Sequence, residues 1–176
     1  MKQTIVAAIA ALFLFSCAEQ TTTKTDSDSI PVNMEFAYTI EHPADNWVPG
    51  DLKHVQTVLA GLKAYETGDM ATCAKSFGDS VALKFDGMET RLSNDSLKGF
   101  FAAGRNQYAN VSVKMGDWES VISKDKSEEY VSLWYKVINT DKKGKIDSMD
   151  IMDDLKIKDG KVIELTQHQR RYAAKK

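Results

Sequence analysis

Cysteine is scarce in this chain: 176 residues hold two, Cys17 and Cys73. If Cys17 is modified, no internal disulfide can form, so a disulfide-stapled scaffold is excluded and stability must come from a packed core. Long apolar runs are also missing. After the first residues, no stretch approaches the roughly 20 apolar residues a membrane-spanning helix requires. Excess positive charge is absent, with 23 Lys and Arg against 25 Asp and Glu, which excludes the basic footprint of a nucleic-acid binder. The three histidines, His42, His54 and His168, sit at no metal-ligand spacing with one another or with a cysteine, so no metal is expected. A Gly-x-Ser-x-Gly elbow, a phosphate loop and a dinucleotide fingerprint are all missing, and no cofactor is expected.

What is present begins at the N-terminus. Lys2 precedes an unbroken apolar run from Ile5 to Phe15, the size of a signal-peptide core and too short to span a bilayer. The run ends Leu14-Phe15-Ser16-Cys17. That ending resembles a lipobox, with an aliphatic residue three before the cysteine and a small residue just before it. The resemblance implies cleavage after Ser16 and a lipid on Cys17, making membrane lipid a partner through that residue. Two or more acyl chains anchor stably, at about 0.8 kcal/mol per buried methylene. An ordinary secretory signal with an incidental cysteine is the alternative. Ala18 offers no inner-membrane retention signal by resemblance to sorting rules, which favours the outer membrane of a bacterial envelope. Residues 17–30 are polar through Ser29 and read as a tether too poor in apolar surface to offset their ordering entropy.

The remaining length fits one domain. Val32, Met34, Phe36, Tyr38 and Ile40 alternate with polar residues, which predicts a half-buried strand, closed by His42-Pro43. With the loop that follows, it makes an N-terminal extension over 31–50. Asp51 caps a predicted helix to about Glu66, and Gly68 closes it. Asp69 opens a short second helix with Met70, Cys73, Ala74 and Phe77 on one face. Val81, Leu83 and Phe85 alternate as a strand, and Asp86-Gly87 is a hairpin turn. Ser93 or Asp95 caps a third helix with Leu97, Phe100, Phe101, Gly104 and Tyr108 as its stripe. Strands follow, from Val111 towards Ile122, over Tyr130–Ile138, over Ile146–Ile157 and from Val162 to Arg171; Asp159-Gly160 makes the last hairpin. Helices first, then strands, is the α+β pattern.

Taken in order, the Gly68-Asp69 junction, Phe77-Gly78-Asp79-Ser80-Val81, Asp86-Gly87 and Asp159-Gly160-Lys161-Val162 resemble the nuclear transport factor 2-like superfamily, which includes ketosteroid isomerases and SnoaL-like polyketide cyclases. The resemblance covers about Leu52 to Tyr172, within a domain placed at 51–172. It implies three helices packed in a strongly curved antiparallel sheet that leaves a conical pocket, and often a homodimer. The strand at Val32–Ile40 is an addition to that pattern. Ketosteroid isomerase chemistry needs a carboxylate base and a buried acid. Aligned on these motifs, the family's base aspartate falls on Phe85 and its oxyanion tyrosine on Gly61, so both roles are unfilled.

Other candidates are weaker. His168 on the last strand and Asp150 on the acidic strand would be acid–base groups if they point into the cone, and solvated strand residues if they do not. Asp147, Asp150, Asp153 and Asp154 lack the glycine and terminal glutamate of a calcium loop, and a solvated acidic strand accounts for them. Trp118, Trp134, Tyr65, Phe101, Tyr108 and Asp86 are candidates for the pocket wall. Trp134 and Tyr135 must face opposite ways, so at most one enters the cone. Three functions remain open: a non-catalytic binding lipoprotein whose cone holds a small apolar ligand, a SnoaL-like enzyme (lyase, isomerase or hydrolase) using Asp150 or His168, and a structural dimerisation module.

Overall fold

The computed structural model describes residues 37–39 and 46–172. The lipobox, the tether and most of the expected strand at Val32–Ile40 lie outside these residues. Its described part, Ala37–Thr39, is a bend, and Tyr38 is exposed.

Strand β1 (Trp47–Pro49) leads into α1 (Leu52–Thr67) and α2 (Met70–Lys75). Strands β2 (Phe77–Phe85) and β3 (Met88–Ser93) form a hairpin, followed by α3 (Asn94–Arg105). Four long strands follow: β4 (Tyr108–Ser123), β5 (Glu129–Asp141), β6 (Ile146–Lys158) and β7 (Lys161–Arg171). The seven strands among the described residues make one curved sheet in the order β1-β4-β5-β6-β7-β2-β3.

Local chemistry sets the helix ends. The Asp51 carboxylate accepts from the Lys53 backbone N–H at 2.8 Å, satisfying one of the donors that a helix start leaves unpaired, worth about 1 kcal/mol. Gly68 ends α1 in the left-handed conformation, φ 87°, which favours glycine. Ser93 caps α3, and the Asn94 side chain donates to the carbonyls of Ala74, Phe77 and Gly78, tying α3 to the α2–β2 junction.

Four expectations are corrected. The sheet is mixed, because β2 runs parallel to β7 while every other pair is antiparallel. No hairpin joins β2 to β7, so turn geometry does not force their directions to oppose. Trp47–Pro49, read as loop, is a strand held by pairing with Val121–Ser123 of β4. Phe77 starts β2 rather than extending α2, and Tyr108 starts β4 rather than ending the stripe of α3.

The concave side of the sheet packs on the helices. Leu83, Leu97, Val131 and Leu133 are at most 1% exposed and centre this core. Burying one such side chain stabilises by roughly 1.5–3 kcal/mol. On β5 the inward set is Val131, Leu133, Tyr135, Val137 and Asn139, and on β6 it is Met149, Ile151, Asp153, Leu155 and Ile157. Strand β4 changes parity midway. Val111 and Val113 lie opposite Asn139 and Val137, but a bulge at Gly116 brings Trp118 opposite Leu133. The Gly116 backbone lies so close to β5 that a Cβ there would sit 2.9 Å from the Trp134 carbonyl oxygen.

Candidate functional site

The cone is open inside. A cavity of about 450 Å³ lies between the helices and the concave sheet face, so the centre is not packed solid with side chains. Its helix wall is aromatic. Phe101 on α3 contacts Tyr65 of α1 (centroids 5.9 Å apart, 74°) and Phe77 (5.4 Å), and Phe100 stacks on Phe85 (6.0 Å, 12°). The sheet wall is aliphatic in its middle, formed by Val113, Val137, Met149 and Ile151. Gly61 also borders the cavity. There α1 approaches the α2 end so closely that a Cβ would lie 2.5 Å from Ser76 Oγ, leaving no space for a side chain at the position where the isomerases carry tyrosine. Phe85, at the position of their base, is part of the aromatic wall.

A buried carboxyl interrupts this lining. Asp153 is 5% exposed, and its two carboxylate oxygens accept from the Tyr135 hydroxyl at 2.6 Å and the Gln167 amide at 2.8 Å. The three residues come from adjacent strands, β5, β6 and β7, and all border the cavity. Burial raises the Asp153 carboxyl to about 6, against the lowering effect of the Tyr135 and Gln167 hydrogen bonds. Burial, reinforced by the nearby Asp153 charge, raises the Tyr135 phenol well above its ordinary value, so it stays protonated at neutral pH. Tyr65 shifts upward as well, chiefly by burial. The arrangement is a carboxyl that gains or loses a proton close to neutrality beside a phenol that is always a donor. It can hold a ligand oxygen or pass a proton to one.

Of the expected wall residues, Tyr65, Phe101 and Tyr108 border the cavity. Trp118 lies on the concave side by register but outside the cavity, 41% exposed. Trp134 faces the other side of the sheet, and Tyr135 is the residue that enters the cone. Asp86 is exposed in the β2–β3 turn, where its residue type serves the hairpin. Asp150 and His168 also point away from the cone. Each has the strand parity opposite to the cavity residues on β6 and β7, and Asp150 pairs with the Tyr172 hydroxyl at 2.5 Å and with Lys136 at 3.7 Å. Asp153 was legible in principle, being the one charged residue among Met149, Ile151, Leu155 and Ile157 at alternate positions. Buried Cys73 borders the cavity too; burial pushes its thiol up to about 11, so it stays un-ionised at neutral pH. No group of three or more metal-ligating side chains occurs among the described residues. No described helix is long and apolar enough to cross a membrane.

No protein-family model and no curated protein sequence matches the chain. Solved structures do. AusH from Aspergillus nidulans is 17% identical, with a TM-score of 0.56 over 70% of this chain and 87% of that one. An LEH-like epoxide hydrolase from M. tuberculosis is 14% identical, with a TM-score of 0.56 over 69% of this chain and 86% of its own. An NTF2-like protein of unknown function from Burkholderia pseudomallei is 13% identical, with a TM-score of 0.55 over 67% and 91%. The chain has the nuclear transport factor 2-like fold. That fold hosts enzymes as well as proteins without assigned chemistry, so function must be argued from the cone itself.

Proposed function

We propose that this protein is a lipid-anchored binding protein of the bacterial envelope whose cone holds a small, largely apolar molecule with an oxygen function at the Asp153–Tyr135 end. The observation that carries the reading is an apolar cavity of about 450 Å³ with a single carboxyl group buried in its wall. Pockets of small-molecule binders have this composition, an apolar lining with a few placed polar groups. Decan-1-ol is a suitable probe. Added to the protein, it should perturb the NMR methyl signals of Val137 and Ile151, and filling the cavity by Val137→Phe should abolish the effect. Methyl signals that do not move at saturating alcohol would refute the reading. Anchoring has its own test: Cys17→Ala should move the protein from membrane to soluble fraction, and continued membrane retention would refute the lipid attachment.

A second reading has a specific observation behind it. Asp153 titrates close to neutral pH inside a cavity, as expected of a general acid or base, and the similar M. tuberculosis structure is an epoxide hydrolase. This reading makes the protein an enzyme acting on an apolar substrate through Asp153. A turnover whose pH profile bends at about 6 and is lost in Asp153→Asn would select it.

A further inference from the structure

A second polar point stands in the cavity wall, away from Asp153. Asn139 on β5 is 6% exposed and borders the cavity. Its side-chain amide has no hydrogen-bond partner among the described residues. Among those residues, Ser120 Oγ is the only side-chain polar atom that is sealed from solvent and also unpartnered, so the Asn139 amide must reach open volume. An amide that faces the cavity with no protein partner is available to hydrogen-bond whatever occupies that volume.

Asn139 and Tyr135 face the same side of β5, four residues apart, which at ~3.3 Å per residue is roughly 13 Å. Between them lies Val137, with Met149 opposite it on β6. The wall therefore reads polar, apolar, polar along the strand. Neither pole invites an anion. Asp153 at one end is itself acidic, and the Asn139 amide at the other is neutral. The guanidinium that borders the cavity, that of Arg171, is paired with Asp147 at 3.2 Å.

We propose that Asn139 is a second recognition point, and that the ligand is an uncharged, elongated molecule with an oxygen function at each end of an apolar body roughly ten carbons long. This inference rests on the cone being a binding site. It adds what the earlier reading does not contain, a requirement for the second oxygen and discrimination against carboxylates.

Three probes of matched length test it: decane-1,10-diol, decan-1-ol and decanoate, titrated into wild-type protein and into Asn139→Leu and Asn139→Ala. In the wild type the diol should bind more tightly than decanoate. Either substitution should weaken the diol about tenfold while leaving decan-1-ol unchanged or tighter, because only the diol places a hydroxyl at the amide. Thermal melts of the variants confirm folding, and two side chains of different volume guard against a packing artefact. Equal effects on diol and monoalcohol would overturn the role of Asn139. Decanoate binding more tightly than the diol would overturn the uncharged class and transfer recognition to Arg171. If decan-1-ol itself fails to bind wild-type protein, the cone is not a binding site and the inference falls with it.

Discussion

Asp150 and Asp153 are three residues apart on the same strand and have opposite chemistries. Asp150 faces outward, about two-fifths exposed, between Lys136 and the Tyr172 hydroxyl. Asp153 faces the cavity, is 5% exposed, and keeps its proton up to a pH of about 6. Neither residue type nor the acidic character of the strand separates them. The pleat does, because an odd step along a strand exchanges solvent for interior. The same step separates Trp134 from Tyr135 and His168 from Gln167. On this sheet a functional assignment is therefore an assignment of parity.

The difference between the two faces can be tested by substitution. Leu133→Ala, on the inner face, should cost about 2–5 kcal/mol in urea unfolding, as expected for an emptied core position. Tyr135→Phe should cost about 1–3 kcal/mol, because Asp153 loses a donor it cannot replace. The Asp153 carboxyl, followed by NMR, should then titrate above its wild-type value of about 6, since that hydrogen bond lowers it. An unchanged titration would show that the pair does not form. Asp153→Asn should act in the opposite sense, through pH. The folded carboxyl is raised from 3.8 to about 6, so below pH 4 both folded and unfolded chains carry the proton and ionisation costs the fold nothing. Between pH 4 and 6 the unfolded chain ionises first, and wild-type stability falls. Above pH 6 the loss is complete, of the order of 1–3 kcal/mol, and the variant escapes it. Melts of both proteins should converge at pH 4 and separate by pH 7, with the variant higher. Asp150→Asn, on the outer face, should leave the melt unchanged at either pH; a shift as large as that of Asp153→Asn would erase the distinction between the two faces.

Much of the fold was legible because its signals are local. The stripe of α1 between Asp51 and Gly68, the N-cap of α3, and the turns at Asp86-Gly87 and Asp159-Gly160 each fix their own few residues. Features that depend on distant partners were not legible. Trp47–Pro49 is a strand only because Val121–Ser123 lies beside it, and the parallel β2–β7 pairing joins segments some 80 residues apart. The cavity residues fall between these cases. Tyr65 and Phe101 lie on helix stripes that a sequence shows, so they could be placed. Asp153 needed one more step, recognising that an acid among alternate aliphatic residues belongs to the buried side. Asn139 gave no comparable signal, because a polar residue near the end of a strand is most often solvated.

The extra residue at Gly116 has a consequence for how this wall could change. From Val111 to Met115 odd-numbered side chains of β4 turn towards the hollow, and from Trp118 onward even-numbered ones do. Removing that single glycine would join Met115 to Asp117 in unbroken register with Tyr135 and Trp134, so Trp118 and the residues beyond it would keep their faces and only the local bend would be lost. A residue lost elsewhere on β4, with the bulge kept, would instead exchange the two faces beyond the loss, so where the strand shortens decides what the hollow meets.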